Sequence, residues 1–300
     1  MAADILLSNA FEDFQPDVAS PTSGGKDSFG GRVKRILTSA VLLLVAYIIA
    51  FLLHQYATGL LCIVYGFHPV ISYNHISNLP NDYREWTLWS ITIIFSSGPL
   101  ICLIVGIFFL DFFNSMSGRG TLLRCFTLWC SICFLNLFFS FLLVSPIAVE
   151  NYSSNLYTGF SIVGAWWRFG RLMMIPLAFV ALTGSILVGF LTGTMFLKFS
   201  FSKTLIETYS GRRNILFQLY LLPVLLAAPV VLFLSNDKSY LVHVSHLINL
   251  FLMSVGMMMG VENISKEMRV YGKDILNAIP VFWLALAGGL ISLIVFVLES

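Results

Sequence analysis

Apolar and polar residues are sorted along this chain in long blocks, without the short period of an amphipathic helix or the alternation of a half-buried strand. Seven apolar blocks run near Ile36–Gly66, Trp86–Phe113, Thr121–Ile147, Leu172–Leu197, Ile215–Leu234, Tyr240–Val261 and Ile279–Leu298. The hydrocarbon core of a bilayer is about 30 Å thick and a helix rises about 1.5 Å per residue, so about 20 apolar residues cross it. Every block reaches that length. The pattern predicts an all-α, polytopic membrane bundle of about seven transmembrane helices, formed by residues 34–300. Residues 1–33 read as a disordered cytoplasmic tail. Pro16, Pro21, Gly24, Gly25 and Gly30 interrupt it, Asp4, Glu12, Asp13 and Asp17 make it acidic, and it has too little apolar surface to order alone. It lacks the short apolar region and cleavage site of a signal peptide.

Composition excludes an ordinary soluble domain. The chain is 58% hydrophobic and 11% charged, with a mean hydropathy of +0.87, whereas soluble domains carry about 25% charged residues. A net charge of +2 gives no case for a nucleic-acid partner. The basic residues fall on alternate connections. One side holds Lys26, Arg32, Lys34, Arg35, Arg119, Arg124, Lys198, Lys203, Arg212, Arg213, Lys266, Arg269 and Lys273; the other holds Arg84, Arg168, Arg171 and Lys238. Cytoplasmic loops retain Lys and Arg, so the N-terminus is expected in the cytoplasm and the C-terminus outside a cell membrane. Trp86, Trp89, Trp166 and Trp167 then form an exterior aromatic belt.

Small residues recur every four positions at Ser185, Gly189 and Gly193, at Gly256 and Gly260, and at Ala285 and Gly289. Such ridges let helix backbones approach closely, within one bundle or across a homo-oligomer face. Pro99, Pro176, Pro223 and Pro229 lie inside spans, where each frees a backbone carbonyl. Cys62, Cys102, Cys125, Cys130 and Cys133 all fall in apolar segments, and no second pair of ligands accompanies the C-x-x-C at Cys130 and Cys133. They read as small buried hydrophobes, without disulfides or zinc.

Polar and ionisable side chains inside spans are the sharpest functional clue, because they are costly in lipid unless paired or wet. His54 lies in the first span, Asn136 in the third, and His243 and His246 near the exterior start of the sixth. His243 and His246 share a helix face that continues through Leu250, Met253 and Met257. Histidine with methionine suits a soft ion such as copper(I). The plainer expectation is that these histidines sit at the interface and find water while the methionines fill gaps.

The stretch His54-Gln55-Tyr56-Ala57-Thr58-Gly59, with Cys62 and Gly66 eight and twelve positions after the histidine, resembles a worn zinc-binding first core helix of the site-2 proteases. Those intramembrane metalloproteases carry H-E-x-x-H. Ser96-Ser97-Gly98-Pro99-Leu100 is similar to the family's glycine-proline second core helix, and Val144-Ser145-Pro146-Ile147 falls near its aspartate-bearing segment. The resemblance covers the first half of the chain. It implies a degenerate site at His54, Gln55, Thr58, Gly66, Gly98 and Pro99. Catalytic zinc needs three protein ligands, an open water position and a carboxylate base. Here Gln55 stands for the glutamate and Thr58 for the second histidine, so the resemblance implies a non-catalytic relative. Counted from Ile36, His54 lies about 27 Å along its helix, near the exterior surface, whereas the family places its zinc toward the cytoplasm.

These observations lead to an expectation of a non-enzymatic integral membrane protein, without catalytic residues, bound metal or cofactor. Its partners would be the lipid bilayer and either a membrane protein or a second copy of the chain. A small-molecule or ion transporter is the alternative. An active intramembrane metalloprotease ranks third, and would need His243 or His246 to converge on His54.

Overall fold

The computed structural model describes residues 29–71, 76–77, 87–116, 121–151, 174–200, 203–233, 240–262 and 287–289. The expected tail up to residue 28, Trp86, Trp166, Trp167 and most of the expected seventh span lie outside the described residues, as does Ala285 of its small-residue pair. The helices are α1 (Phe29–Val64), α2 (Leu88–Ser115), α3 (Thr121–Asn151), α4 (Met174–Leu197), α5 (Lys203–Glu207), α6 (Tyr209–Leu216), α7 (Leu222–Phe233) and α8 (Tyr240–Glu262). A π-helical turn, Phe217–Leu221, joins α6 to α7. Among the described residues the one extended pairing is a two-residue antiparallel ribbon, Val70–Ile71 with Ile76–Ser77. The molecule is an all-α bundle, and among the described residues six helical segments are long and apolar enough to cross a membrane.

Helix α1 begins at Phe29, ahead of the tail boundary expected at residue 34, and its 36 residues extend about 54 Å, longer than a bilayer core. Gly66 ends it. With φ at 83° it adopts the left-handed conformation, and the amide of Phe67 reaches the Cys62 carbonyl at 3.0 Å while that of Gly66 reaches Ile63 at 2.9 Å. This pair of bonds is the Schellman arrangement, which caps the last helical carbonyls and favours glycine at that position. Gly66 therefore stops a helix rather than lining a site.

Helix α3 runs through the middle, packed against α1, α2, α4 and α8. Its residues from Leu128 to Leu137 are buried throughout. Two contacts fix its neighbours. Pro223 has no N–H to return to the Leu219 carbonyl four residues back, and the helix widens here into its π turn, with the Leu222 amide bonding to the Phe217 carbonyl. The Ser39 hydroxyl of α1 donates to that Leu219 carbonyl at 2.7 Å, and the Trp129 indole of α3 donates to the Ser39 oxygen at 2.9 Å. One serine thus ties three spans at a carbonyl that proline released.

The second contact joins α4 and α8. A Cβ added at Gly189 would meet the Met253 carbonyl and one at Gly193 would lie 2.8 Å from the Met257 Cα; on the facing helix Gly256 abuts the Ile186 carbonyl and Gly260 that of Phe190. The two small-residue ridges close on each other within the chain. No bulky side chain separates these backbones, so dispersion contact is continuous along the seam.

At the opposite end from the ribbon, Arg124 lies over the Phe113 ring at 5.4 Å and the Lys198 ammonium at 5.7 Å. Burial, and the Arg124 charge beside it, hold the Lys198 ammonium below the ordinary lysine range. All five cysteines are buried and free.

Two substitutions test this framework. Ser39→Ala strands a buried indole N–H and a buried carbonyl, and is expected to cost about 1–3 kcal/mol in a detergent unfolding titration. Gly256→Ala forces a methyl into the Ile186 backbone and is expected to lower stability by about 1–3 kcal/mol. Gly30→Ala, with nothing within 4 Å of the added carbon, serves as its neutral control.

Candidate functional site

One face of α1 presents Tyr47, Phe51, His54 and Thr58, spaced so that each lies a turn above the last. Phe51 is the hub. Its ring centroid lies 6.3 Å from that of His54, 4.8 Å from His243 and 5.8 Å from His246. Phe141 of α3 closes the other side, stacking on His54 at 4.3 Å with planes 6° apart and meeting His246 edge-on at 5.4 Å. The structure therefore gathers His54 of α1 into one cluster with the distant His243–His246 pair of α8. None reaches solvent: His54 is 1% exposed, and His243 and His246 are 0%. This corrects the expectation that the α8 pair finds water at an interface. The seam with α4 holds α8 so that its histidine face turns toward α1.

Tyr47 joins the two α8 histidines. Its hydroxyl lies 2.7 Å from Nδ1 of His243 and 2.9 Å from Nδ1 of His246. A hydroxyl carries one proton and donates to at most one of them, so at least one ring is protonated at Nδ1. In its neutral form that ring has a bare Nε2.

His54 is packed from below by glycine. A Cβ at Gly98 would fall 2.6 Å from Thr58 Oγ1 and 2.7 Å from His54 Nε2, so α2 approaches α1 at the histidine's own edge. The Thr58 hydroxyl donates back to the His54 carbonyl at 3.2 Å. Of the residues singled out in the sequence, His54, Thr58 and Gly98 meet directly. Gln55 is buried on α1 and Pro99 is buried on α2, while Gly66 stands apart at the helix end. Asn136 belongs to a second polar node deeper in the bundle. Its Oδ1 accepts from Asn249 Nδ2 at 2.9 Å, and Ser185 Oγ lies 2.6 Å from both Asn249 Oδ1 and the Ala181 carbonyl, its one proton shared between them.

Among the described residues, both ring nitrogens of His54, Nε2 of His246 and Nδ2 of Asn136 are buried and have no hydrogen-bond partner. Among the described residues no three of His, Cys, Asp or Glu stand close enough to share one ion. No acidic side chain among the described residues joins the cluster, which there consists of neutral hydrogen-bonding groups walled by aromatic rings. Sequence reasoning missed Tyr47, Phe51, Phe141, Asn249 and Ser185 as site residues. A hydroxyl and an aromatic ring at four- and three-residue steps below His54 were the available signal on α1; Phe141 on α3 had none.

No protein-family model, curated protein or solved structure matches the chain. The fold and the buried cluster together define an all-helical, multi-pass membrane protein.

The contact between Gly98 and His54 predicts a coupled pair. Gly98→Ala is expected to destabilise the protein, and His54→Ala to absorb most of that loss by removing the ring the methyl strikes. A double-mutant cycle read by detergent unfolding should show a coupling of about 0.5–3 kcal/mol.

Proposed function

We propose that the protein binds a small protic solute inside the membrane at the His54–His246 cluster, without covalent chemistry, and so acts as a small-molecule transporter or carrier. The observation that carries this reading is the set of buried, unpartnered nitrogens on His54 and His246. Leaving a polar group buried without a hydrogen bond costs about 1–3 kcal/mol. A neutral imidazole offers one N–H and one lone pair, so a guest at His54 must both accept and donate. Alcohols, amines, carboxylic acids, amides and water have that chemistry. Functional polar groups within spans ordinarily face such a guest or each other.

A non-enzymatic role is supported by Gln55 and Thr58, an amide and a hydroxyl where the site-2 protease pattern needs a base and a second zinc ligand. The geometry favours the carrier over a scaffold for a membrane partner, because the polar groups point into the bundle and not at its lipid-facing surface. The orientation follows from charge. Arg35, Arg124 and Lys198 gather at one end of the bundle, which is the cytoplasmic end of a cell-membrane protein with its N-terminus inside.

The test is a thermal-shift screen of small protic solutes on the purified, full-length protein. A solute at about 100 times its Kd is expected to add about 2.7 kcal/mol of stability, and His54→Phe, which keeps a ring but no nitrogen, is expected to abolish the shift. Shifts identical in the wild type and His54→Phe would reject the site. Stoichiometric copurification of a membrane protein, with no such solute found, would restore the scaffold reading.

A further inference from the structure

We propose that His243, Tyr47 and His246 form a proton relay across the α1–α8 contact. The proposal rests on hydrogen-bond geometry rather than on the identity of any solute. A single hydroxyl oxygen sits within hydrogen-bond distance of two Nδ1 atoms, at 2.7 and 2.9 Å, and both imidazoles are fully buried. The rings are 6.2 Å apart and nearly perpendicular, at 80°, so neither bonds the other directly and the hydroxyl is the bridge.

The arrangement moves a proton without moving a heavy atom far. In one state the first imidazole is protonated at Nδ1 and donates to the tyrosine oxygen, while the hydroxyl donates to the bare Nδ1 of the second, which is protonated at Nε2. A proton arriving at Nε2 of the first ring releases its Nδ1 proton to the oxygen. The hydroxyl proton passes to Nδ1 of the second ring, and the Nε2 proton of that ring leaves. One proton has entered and one has left, no net charge remains on the trio, and both hydrogen bonds have reversed direction. A second passage the same way waits until they turn back. His246 Nε2, buried and without a protein partner, is one terminus.

Few titratable groups can interfere. His54 is the further one on this part of α1. α3 contributes Cys133, whose Sγ lies 3.9 Å from the Leu43 carbonyl, and the π turn contributes Tyr220, whose hydroxyl is bonded to the Leu250 carbonyl at 2.7 Å. On α2 there are Cys102, buried, and Asp111 near the far end; α4 and α7 carry none. Among the described residues no carboxylate stands beside the trio to trap the proton as a fixed ion pair.

The experiment reconstitutes the full-length protein into phosphatidylcholine vesicles holding a pH-sensitive dye, with potassium and valinomycin to balance charge and no added solute. After an external acid pulse, wild-type vesicles should acidify faster than protein-free ones. Tyr47→Phe keeps the ring and deletes the hydroxyl, and its protein-dependent rate should fall about 100-fold. His246→Gln still hydrogen-bonds but cannot pass a proton from one edge to the other, and should fall as far. A wild-type rate equal to protein-free vesicles, or an unchanged rate in Tyr47→Phe, would overturn the relay. If neither variant folds, ¹⁵N spectra of histidine-labelled wild type decide: opposite, exchanging tautomers of His243 and His246 support the relay, and both rings held at Nδ1–H overturn it. Failure here leaves His54-dependent solute binding untouched, and loss of that binding leaves the proton measurement standing.

Discussion

In lipid no water is at hand to satisfy a backbone group that its own helix has abandoned, and a stranded carbonyl there costs several kcal/mol. The bond from Ser39 to the Leu219 carbonyl answers that demand where Pro223 withdraws its N–H. Because Trp129 in turn donates to Ser39, the same answer sets the height of α1 against both the central helix and the broken fifth span. The glycine seam sets the height of α8 against α4. With α1 and α8 each held by a different neighbour, Tyr47 and the two α8 histidines arrive at one level. The cluster is a consequence of these two fixings, and a slip of one turn along either would part the hydroxyl from its imidazoles.

The aromatic rings around the cluster do more than fill space. Phe51 and Phe141 pack between His54 and the α8 pair, and among the described residues the three imidazoles do not converge as a metal's ligands would. Three imidazoles in apolar surroundings, with no acidic neighbour among the described residues, have strong directional hydrogen bonding and little tolerance for lasting charge. Such a setting suits the passage or holding of a neutral, protic guest better than hydrolysis, which needs a persistent base and a Lewis acid.

How far the chain could be read in advance differs by level. Six span positions were legible because lipid imposes a crude constraint, length and apolarity, that those blocks met; the seventh lies mostly outside the described residues. The glycine ridges were legible as ridges, yet nothing in Gly189 or Gly256 told whether they meet each other or another copy; that depends on α4 and α8 being neighbours. The proline at 223 announced a freed carbonyl but not the serine 184 positions earlier that receives it. At the site, His54, Thr58 and Gly98 were singled out together and do touch. Gly66 was drawn into the same motif by spacing, whereas its φ of 83° assigns it to ending α1. His243 and His246 were read as interfacial because they begin a helix. Burial of a helix start depends on what packs over it, and here α1 outreaches α8.

That difference in reach also bears on the likeness between His54–Gly59 and a protease core helix. A motif of this kind draws its meaning from a second helix that supplies the missing ligands, and α2 does approach at Gly98. What it brings is bare backbone, with Gly98 drawn up beside Thr58 and the imidazole, while Phe141 stacks on the face of the ring. Neither the glycine nor the phenyl ring supplies a zinc ligand. The imidazoles nearest His54 come from α8, on the far side of Phe51, and they are already organised around Tyr47. The chemistry this arrangement favours is therefore built across α1 and α8 by hydrogen bonds, and the sequence motif on α1 supplies only one of its corners.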